Sequence, residues 1–242
     1  MRYLILLLPV LLGLLSCEES THRLSAYEVH GIDVSHYQSA ISWGKVAAQD
    51  IHFVFMKATE GSSYIDSLYL KNWKESQAVG IKRGAYHFFR PQAPALEQAN
   101  NFIGKVELQA GDLPPVLDVE VLDGVSKIEL IVALRMWLKH VELHYGIKPV
   151  IYTYQKFYNK YLAGHFNEYP FWIARYHYRQ PTLADRSDWH FWQYGSQGQL
   201  EGIEGNVDFN IFCGSMKDLE QFCLPAFADS GQLHLAQIPS SE

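Results

Sequence analysis

Cysteine is scarce in this chain: there are three in 242 residues, with no CxxC pair and no cluster of His and Cys. Structural zinc takes four such ligands at short spacings, so a zinc-stapled fold is not expected. Basic charge is also short. Twenty Lys and Arg stand against 26 Asp and Glu, a net charge of −6, whereas a nucleic-acid-binding domain shows a basic patch or stripe. Nucleic acid is therefore not an expected partner. Nor is there an apolar run comfortable as a membrane span, which takes about 20 residues; the longest, Tyr3 to Leu15, falls short. No linker or break in composition interrupts residues 29–223, which suits one barrel-sized domain.

What is present begins with that first run. A short positive start, Met1-Arg2, precedes the apolar segment, which ends Leu14-Leu15-Ser16-Cys17. This is the layout of an export signal over residues 1–16, and its end resembles the bacterial lipobox, in which cleavage exposes a cysteine that is then lipidated. The expectation is an exported lipoprotein held to a membrane through Cys17, with the polar residues 17–28 as a tether. Cys213 and Cys223 then remain, either as a disulfide that export permits or as two free thiols. Residues 224–242 read as an irregular tail or a strap.

Apolar, β-rich runs recur at 30–36, 52–59, 83–89, 115–120, 149–154, 171–176, 190–194 and 206–210. Helical segments separate the earlier ones: Asp66 is placed to cap a helix through Val79, Ala95 to Val106 forms a second, and Ser126 with Glu129 makes a capping box for a third reaching Tyr145. Alternating strands and helices imply parallel strands with crossover helices. Beyond Phe171 the connections hold Pro181, Gly195, Gly198, Gly202 and Gly205 with no useful helical period. The fold class is α/β: an eight-stranded β/α barrel with an incomplete helical coat, about five β/α units followed by three strands. An open doubly wound sheet is the alternative.

In such barrels, functional groups gather at the C-terminal ends of the strands. The fourth strand ends in Asp118 and Glu120, two apart and therefore on one face, with Cα atoms roughly 6.5–7 Å apart. Packing gives no reason for two acids there, whereas glycoside cleavage uses one protonated and one ionised carboxyl. The other strands also end in polar groups: Asp33 on the first, Glu60 on the second, Tyr86 and His87 on the third, Tyr152 and Tyr154 on the fifth. Trp172 and Arg175 end the sixth, Gln193 the seventh and Asp208 the eighth. Several have plainer readings. Asp33 suits a turn, Glu60 a loop, His87 a hydrogen-bonded core, and Asp208 a pairing with Arg175 or Lys57. Tyr64, Tyr154, Trp172 and Gln193 suit a groove or ordinary barrel packing. Fifteen Tyr, thirteen Phe and six Trp fit rings stacked on sugars and a Tyr-rich core equally.

Six blocks in order carry a resemblance: GIDVSHYQ from Gly31, FVFMKATEG from Phe53, GAYHFFRP from Gly84, LDVE at 117–120, FWIARY at 171–176, and WQYGSQGQLEGIEGNVDFN from Trp192. Together they resemble the glycoside hydrolase family 25 lysozymes over about His30 to Asn210. The resemblance implies a β/α barrel that cleaves the β-1,4 bond between MurNAc and GlcNAc in peptidoglycan. It matches Glu120 to the general acid and Asp118 to the partner that steadies the substrate acetamido group or the charge at C1. Asp33 and Asp208 match further acids at the groove floor. Peptidoglycan glycan strands are the implied partner, a monomer the expected state, and no metal or cofactor is called for. Two alternatives differ in class. A chitinase-like hydrolase needs a D-x-x-D-x-D-x-E run, and here Asp112 is off pattern before Leu113-Pro114-Pro115-Val116-Leu117. A noncatalytic peptidoglycan-binding lipoprotein would have no need of Glu120, which is present.

Overall fold

The computed structural model describes residues 23–226 except Arg186. Residues 1–16, Cys17 with most of the expected tether, and all but the start of the C-terminal tail lie outside the described residues. Nine strands form in order: β1 (Val29–Val34), β2 (Phe53–Glu60), β3 (Tyr64–Ile65), β4 (Lys82–Phe88), β5 (Val116–Asp118), β6 (Val150–Tyr154), β7 (Phe171–Ala174), β8 (Phe191–Gly198) and β9 (Val207–Phe212). Eight of them close a ring, because β1 pairs with both β2 and β9; β3 is a two-residue addition to the edge of β2.

The strands from β1 to β8 that form the ring run parallel, but β9 is antiparallel to both neighbours, β8 and β1. The parallel course expected where strands and helices alternate therefore holds through β8 and does not extend to β9. With only a short loop after β8, the chain lacks the dozen or more residues of crossover that a parallel return needs, and so makes a hairpin. The helical coat is α1 (Trp43–Ala47), α2 (Tyr69–Ala78), α3 (Ala95–Ile103), α4 (Lys127–Tyr145), the short α5 (Gln155–Phe157) continued by a π turn, and α6 (Met216–Phe222). Among the described residues no helix separates β7, β8 and β9.

Local chemistry explains the boundaries. Ser126 and Glu129 form the expected capping box, and α4 stops at Gly146 in the left-handed conformation, φ 71°, where a residue lacking Cβ carries no steric penalty. Asp66, expected as the N-cap of α2, sits earlier. Its Oδ1 accepts from the Leu68 amide at 2.9 Å and its Oδ2 from the His36 amide at 3.0 Å, so it ties the entry turn of α2 to the segment after β1.

Side chains alternate across each strand, dividing the barrel into two apolar masses. Ile32, Val34, Val54, Met56, Leu117, Ile151 and Ile173 face outward and pack beneath the helices. Phe53, Phe55, Val116, Trp172, Phe191 and Phe212 point inward and fill the lower interior. The inner rings interlock, with centroids 5.3 Å apart for Phe53–Phe191 and 4.5 Å for Phe55–Trp172. Gly31 and Gly84 make room for them: a Cβ at Gly31 would lie 2.4 Å from the Phe53 ring, and one at Gly84 2.6 Å from Phe55.

The domain's edges extend past its strands. Leu24 and Tyr27, within the span expected as tether, pack against the outer core, with Tyr27 edge-on to Trp192 at 6.1 Å. Leu224 is buried and exchanges backbone hydrogen bonds with Gly111 and Asp112. Cys213 and Cys223 are both free thiols, which corrects the disulfide alternative. Cys213 is exposed just past β9, whereas Cys223 is buried at the end of α6 and its thiol donates to the Leu219 carbonyl at 3.2 Å. Among the described residues no helix is long and apolar enough to cross a membrane.

Candidate active site

The inward parity that places Phe53 and Phe55 in the lower interior carries polar residues to the upper one. Continuing along the same faces come Asp33 on β1, Lys57 on β2, Tyr86 on β4, Asp118 and Glu120 from β5, Tyr152 on β6, Trp172 on β7 and Gln193 on β8. Asp208 completes the ring from the start of β9, because that strand runs downward from the rim. Together they line a groove of about 270 Å³ with Tyr37, Gln38 and Tyr176 at its edges.

The acids form two pairs. Asp33 lies directly opposite Asp208 in the β1–β9 register. Its Oδ2 accepts from Asn210 Nδ2 at 2.7 Å and from Gln193 Nε2 at 2.8 Å. Burial, and next the Asp208 charge, push the Asp33 carboxyl well above the usual range despite those donors. The hydrogen bonds continue across the floor. Tyr152 donates to Gln193 Oε1 at 2.8 Å and Tyr176 to the same oxygen at 3.1 Å, while Trp172 Nε1 donates to Asn210 Oδ1 at 2.8 Å.

Asp118 and Glu120 form the second pair and share a hydrogen bond. Asp118 is 5% exposed, while Glu120 reaches further toward solvent. Burial and then the adjacent Glu120 carboxyl push Asp118 well above the ordinary range; burial also raises Glu120, opposed by the bond from Asp118 and by the charge of Lys57. Two carboxyls this close cannot both ionise cheaply, so the pair retains a proton at a pH where an isolated acid would have lost it. Asp118 Oδ1 is buried and accepts no hydrogen bond from the described residues.

Lys57 is the cation among the groove's described lining residues. Its Nζ lies 2.6 Å from Glu60 Oε2, and Glu60 Oε1 accepts from Arg90 Nε at 2.8 Å and Nη2 at 2.6 Å. Burial works to raise Glu60, but the bonds and charges of Lys57 and Arg90 outweigh it and hold Glu60 below its usual range. Glu60 is thus the anchor of the lysine and does not itself line the groove.

Other sequence-derived residues separate by face. His87 points out of the barrel, fully buried, with Thr59 Oγ1 at 2.7 Å, Gln98 Oε1 at 3.2 Å and the Trp137 ring stacked at 5.6 Å. Burial pushes it down to about 4, so it is a neutral core group and not a substrate contact. Tyr64 sits outside the groove lining, its hydroxyl 3.3 Å from His36 Nδ1. Tyr154 and Arg175 line an adjoining cavity that shares Glu120, Tyr152 and Tyr176 with the groove. Asp208 pairs in register with Asp33, and Arg175 donates to the Gln180 carbonyl at 2.7 Å. Among the described residues no group of three or more His, Cys, Asp or Glu is arranged to hold a metal ion.

The family model for glycosyl hydrolases family 25 matches residues 32–203, which contain every one of these groups except Asp208 and Asn210 on the last strand. The chain belongs to glycosyl hydrolase family 25. It is 45% identical to the uncharacterized protein YegX of Escherichia coli O157:H7 over 206 residues, 83% of this chain and 75% of that one. It is 35% identical to lysozyme M1 of Streptomyces globisporus, over 77% of this chain and 68% of that protein. Among solved structures, a family 25 glycosyl hydrolase from Bacillus anthracis superposes with a TM-score of 0.80 at 33% identity, covering 86% of this chain and 99% of that one. The protein is therefore a glycoside hydrolase with the family 25 barrel. From the sequence, Lys57 stands out only as a pairing for Asp208. Its position two residues beyond Phe55 on the inward face of β2 was the signal for its place in the groove.

Proposed function

We propose that this family 25 hydrolase is an N-acetylmuramidase that cleaves the β-1,4 bond between MurNAc and GlcNAc in peptidoglycan. The observation that carries the reading is the buried Asp118–Glu120 pair, with its shared hydrogen bond and the unsatisfied Asp118 Oδ1. The lysozyme and muramidase names among its relatives support peptidoglycan as the substrate. Glu120 is the less buried of the two and delivers the proton to the glycosidic oxygen as the C1–O bond breaks and its electrons pass to the leaving group. Asp118, which holds that proton in the resting pair, passes it to Glu120 across their hydrogen bond and, so ionised, balances the positive charge at C1, while its free Oδ1 accepts from the 2-acetamido N–H. Water then adds to C1 and returns a proton to the carboxylates. Asp33, held by Gln193 and Asn210, supports the opposite wall with Asp208.

The test is release of new reducing ends from purified peptidoglycan, and separately from chitin. Glu120→Gln keeps the shape but not the proton, and a loss of at least about 10²-fold is expected; an undiminished rate would remove Glu120 from the role. The reading extends to the membrane: the chain is exported, cut before Cys17 and anchored there by lipid. Radioactive palmitate is expected to label the wild type and not Cys17→Ala, and equal labelling would refute the anchor.

A further inference from the structure

The cavity adjoining the groove has a volume of about 550 Å³. It shares Glu120, Tyr152 and Tyr176 with the groove and adds Tyr154, Lys156 and Arg175. The two spaces share a wall but are opposite in formal charge. The groove sets Asp33, Asp118, Glu120 and Asp208 against Lys57, while the adjoining cavity sets Lys156 and Arg175 against Glu120 alone. Among the described residues neither of these two cations joins an ion pair.

Arg175 is also fixed in place. Its amide donates to the Gln193 carbonyl at 2.9 Å, its own carbonyl accepts from Trp192 Nε1 at 2.8 Å, and its Nη1 donates to the Gln180 carbonyl at 2.7 Å. One nitrogen tied to a carbonyl leaves the rest of the planar donor fork for a carboxylate. A glycan of N-acetylglucosamine alone has no anion to offer it. An anionic arm on the sugar would be repelled by the four acids of the groove and attracted to the basic cavity beside them.

We infer that this cavity receives a carboxylate carried on the muramic acid, so that Lys156 and Arg175 select glycans with an acidic 3-O substituent over neutral ones. The inference rests on the muramidase reading. The carboxylate has two sources, the lactyl group itself and the stem peptide attached to it.

The experiment separates the inference from the reading beneath it by measuring binding and turnover apart. In a Glu120→Gln background, calorimetry compares three ligands: soluble peptide-bearing glycan, amidase-stripped glycan with bare lactyl carboxylates, and stripped glycan whose carboxylates are converted to neutral amides. Adding Lys156→Gln and Arg175→Gln together is expected to weaken binding of the carboxylated ligands about tenfold or more, the scale of a charge-assisted contact, and to leave the neutral glycan unchanged. Loss on bare glycan assigns the lactyl carboxylate, and loss confined to peptide-bearing glycan assigns the peptide. Arg175→Lys, which keeps the charge, should recover part of the affinity. Equal affinity for all three ligands, or the same loss on the neutral glycan, overturns the inference. Failure of the otherwise wild-type enzyme to release reducing ends overturns the muramidase reading instead, whatever the binding shows.

Discussion

The lower and upper halves of the barrel interior are built by the same strands, the same inward parity and nearly the same register, yet they do opposite things. Below, Phe53, Phe55, Phe191 and Phe212 interlock without a polar atom. Above, two residues further along, the strands present Asp33, Lys57, Asp118 and Gln193. The comparison teaches that the apolar half prepares the polar half. Because rings close the barrel from beneath, water reaches the carboxyls only from the rim. The resulting desolvation raises Asp33, Asp118 and Glu120 together.

The sharpest way to break this division is to open the lower half. Phe55→Ala removes a fully buried ring that supports Trp172, and a loss of about 3–5 kcal/mol is expected from denaturant unfolding. A cost under 1 kcal/mol would mean that the rings are not the barrel's foundation. A substitution in the upper half should act in the other direction. The folded carboxyl of Asp118 titrates above its unfolded value. Its contribution to stability is therefore complete below the ordinary carboxylate range and is lost as pH rises through the raised value. Asp118→Asn keeps the neutral shape and never ionises. The variant is expected to melt higher than wild type at pH 8, with the gap closing in acid, and a gap independent of pH would argue against a desolvated acid. Catalysis should be lost in the same protein.

The smallest expected effect tests the one cation in the upper half. Lys57 lowers both members of the acid pair, so Lys57→Met should move the alkaline limb of the kcat/KM profile to higher pH. Glu60→Gln takes away the carboxylate that partly neutralises Lys57, and should move the limb the other way. Shifts of the same sign in both variants would detach Lys57 from the pair.

Much of this division was readable in the chain, because apolar alternation with turn residues between runs fixes strand position well. The runs at 149–154 and 171–176 became β6 and β7 within a few residues, and the Ser126–Glu129 box and Gly146 bounded α4 as expected. Direction was less legible. Hydrophobic pattern is the same for a strand read up or down, so the antiparallel course of β9 had to come from the structure. Asp208 reaches the rim because it begins its strand, not because it ends one. The short helices α1, α5 and α6 carry too few turns to show a period. At the site, the acids were legible as residues with no packing role. His87 misled because it neighbours groove residues in sequence while alternation turns it outward.

The reversal of β9 has a further effect on the molecule as a mechanical object. A last strand running upward would deliver the chain to the mouth of the barrel. Here β9 descends beside β1, Phe212 meets Val29, and Leu224 then latches to Gly111 and Asp112 just before β5 begins. The described chain beyond β9 therefore runs on along the underside, away from the rim residues that line the groove. A pull on the described chain at Leu224 would thus be borne by the floor of the barrel and not by the rim that carries the carboxyls.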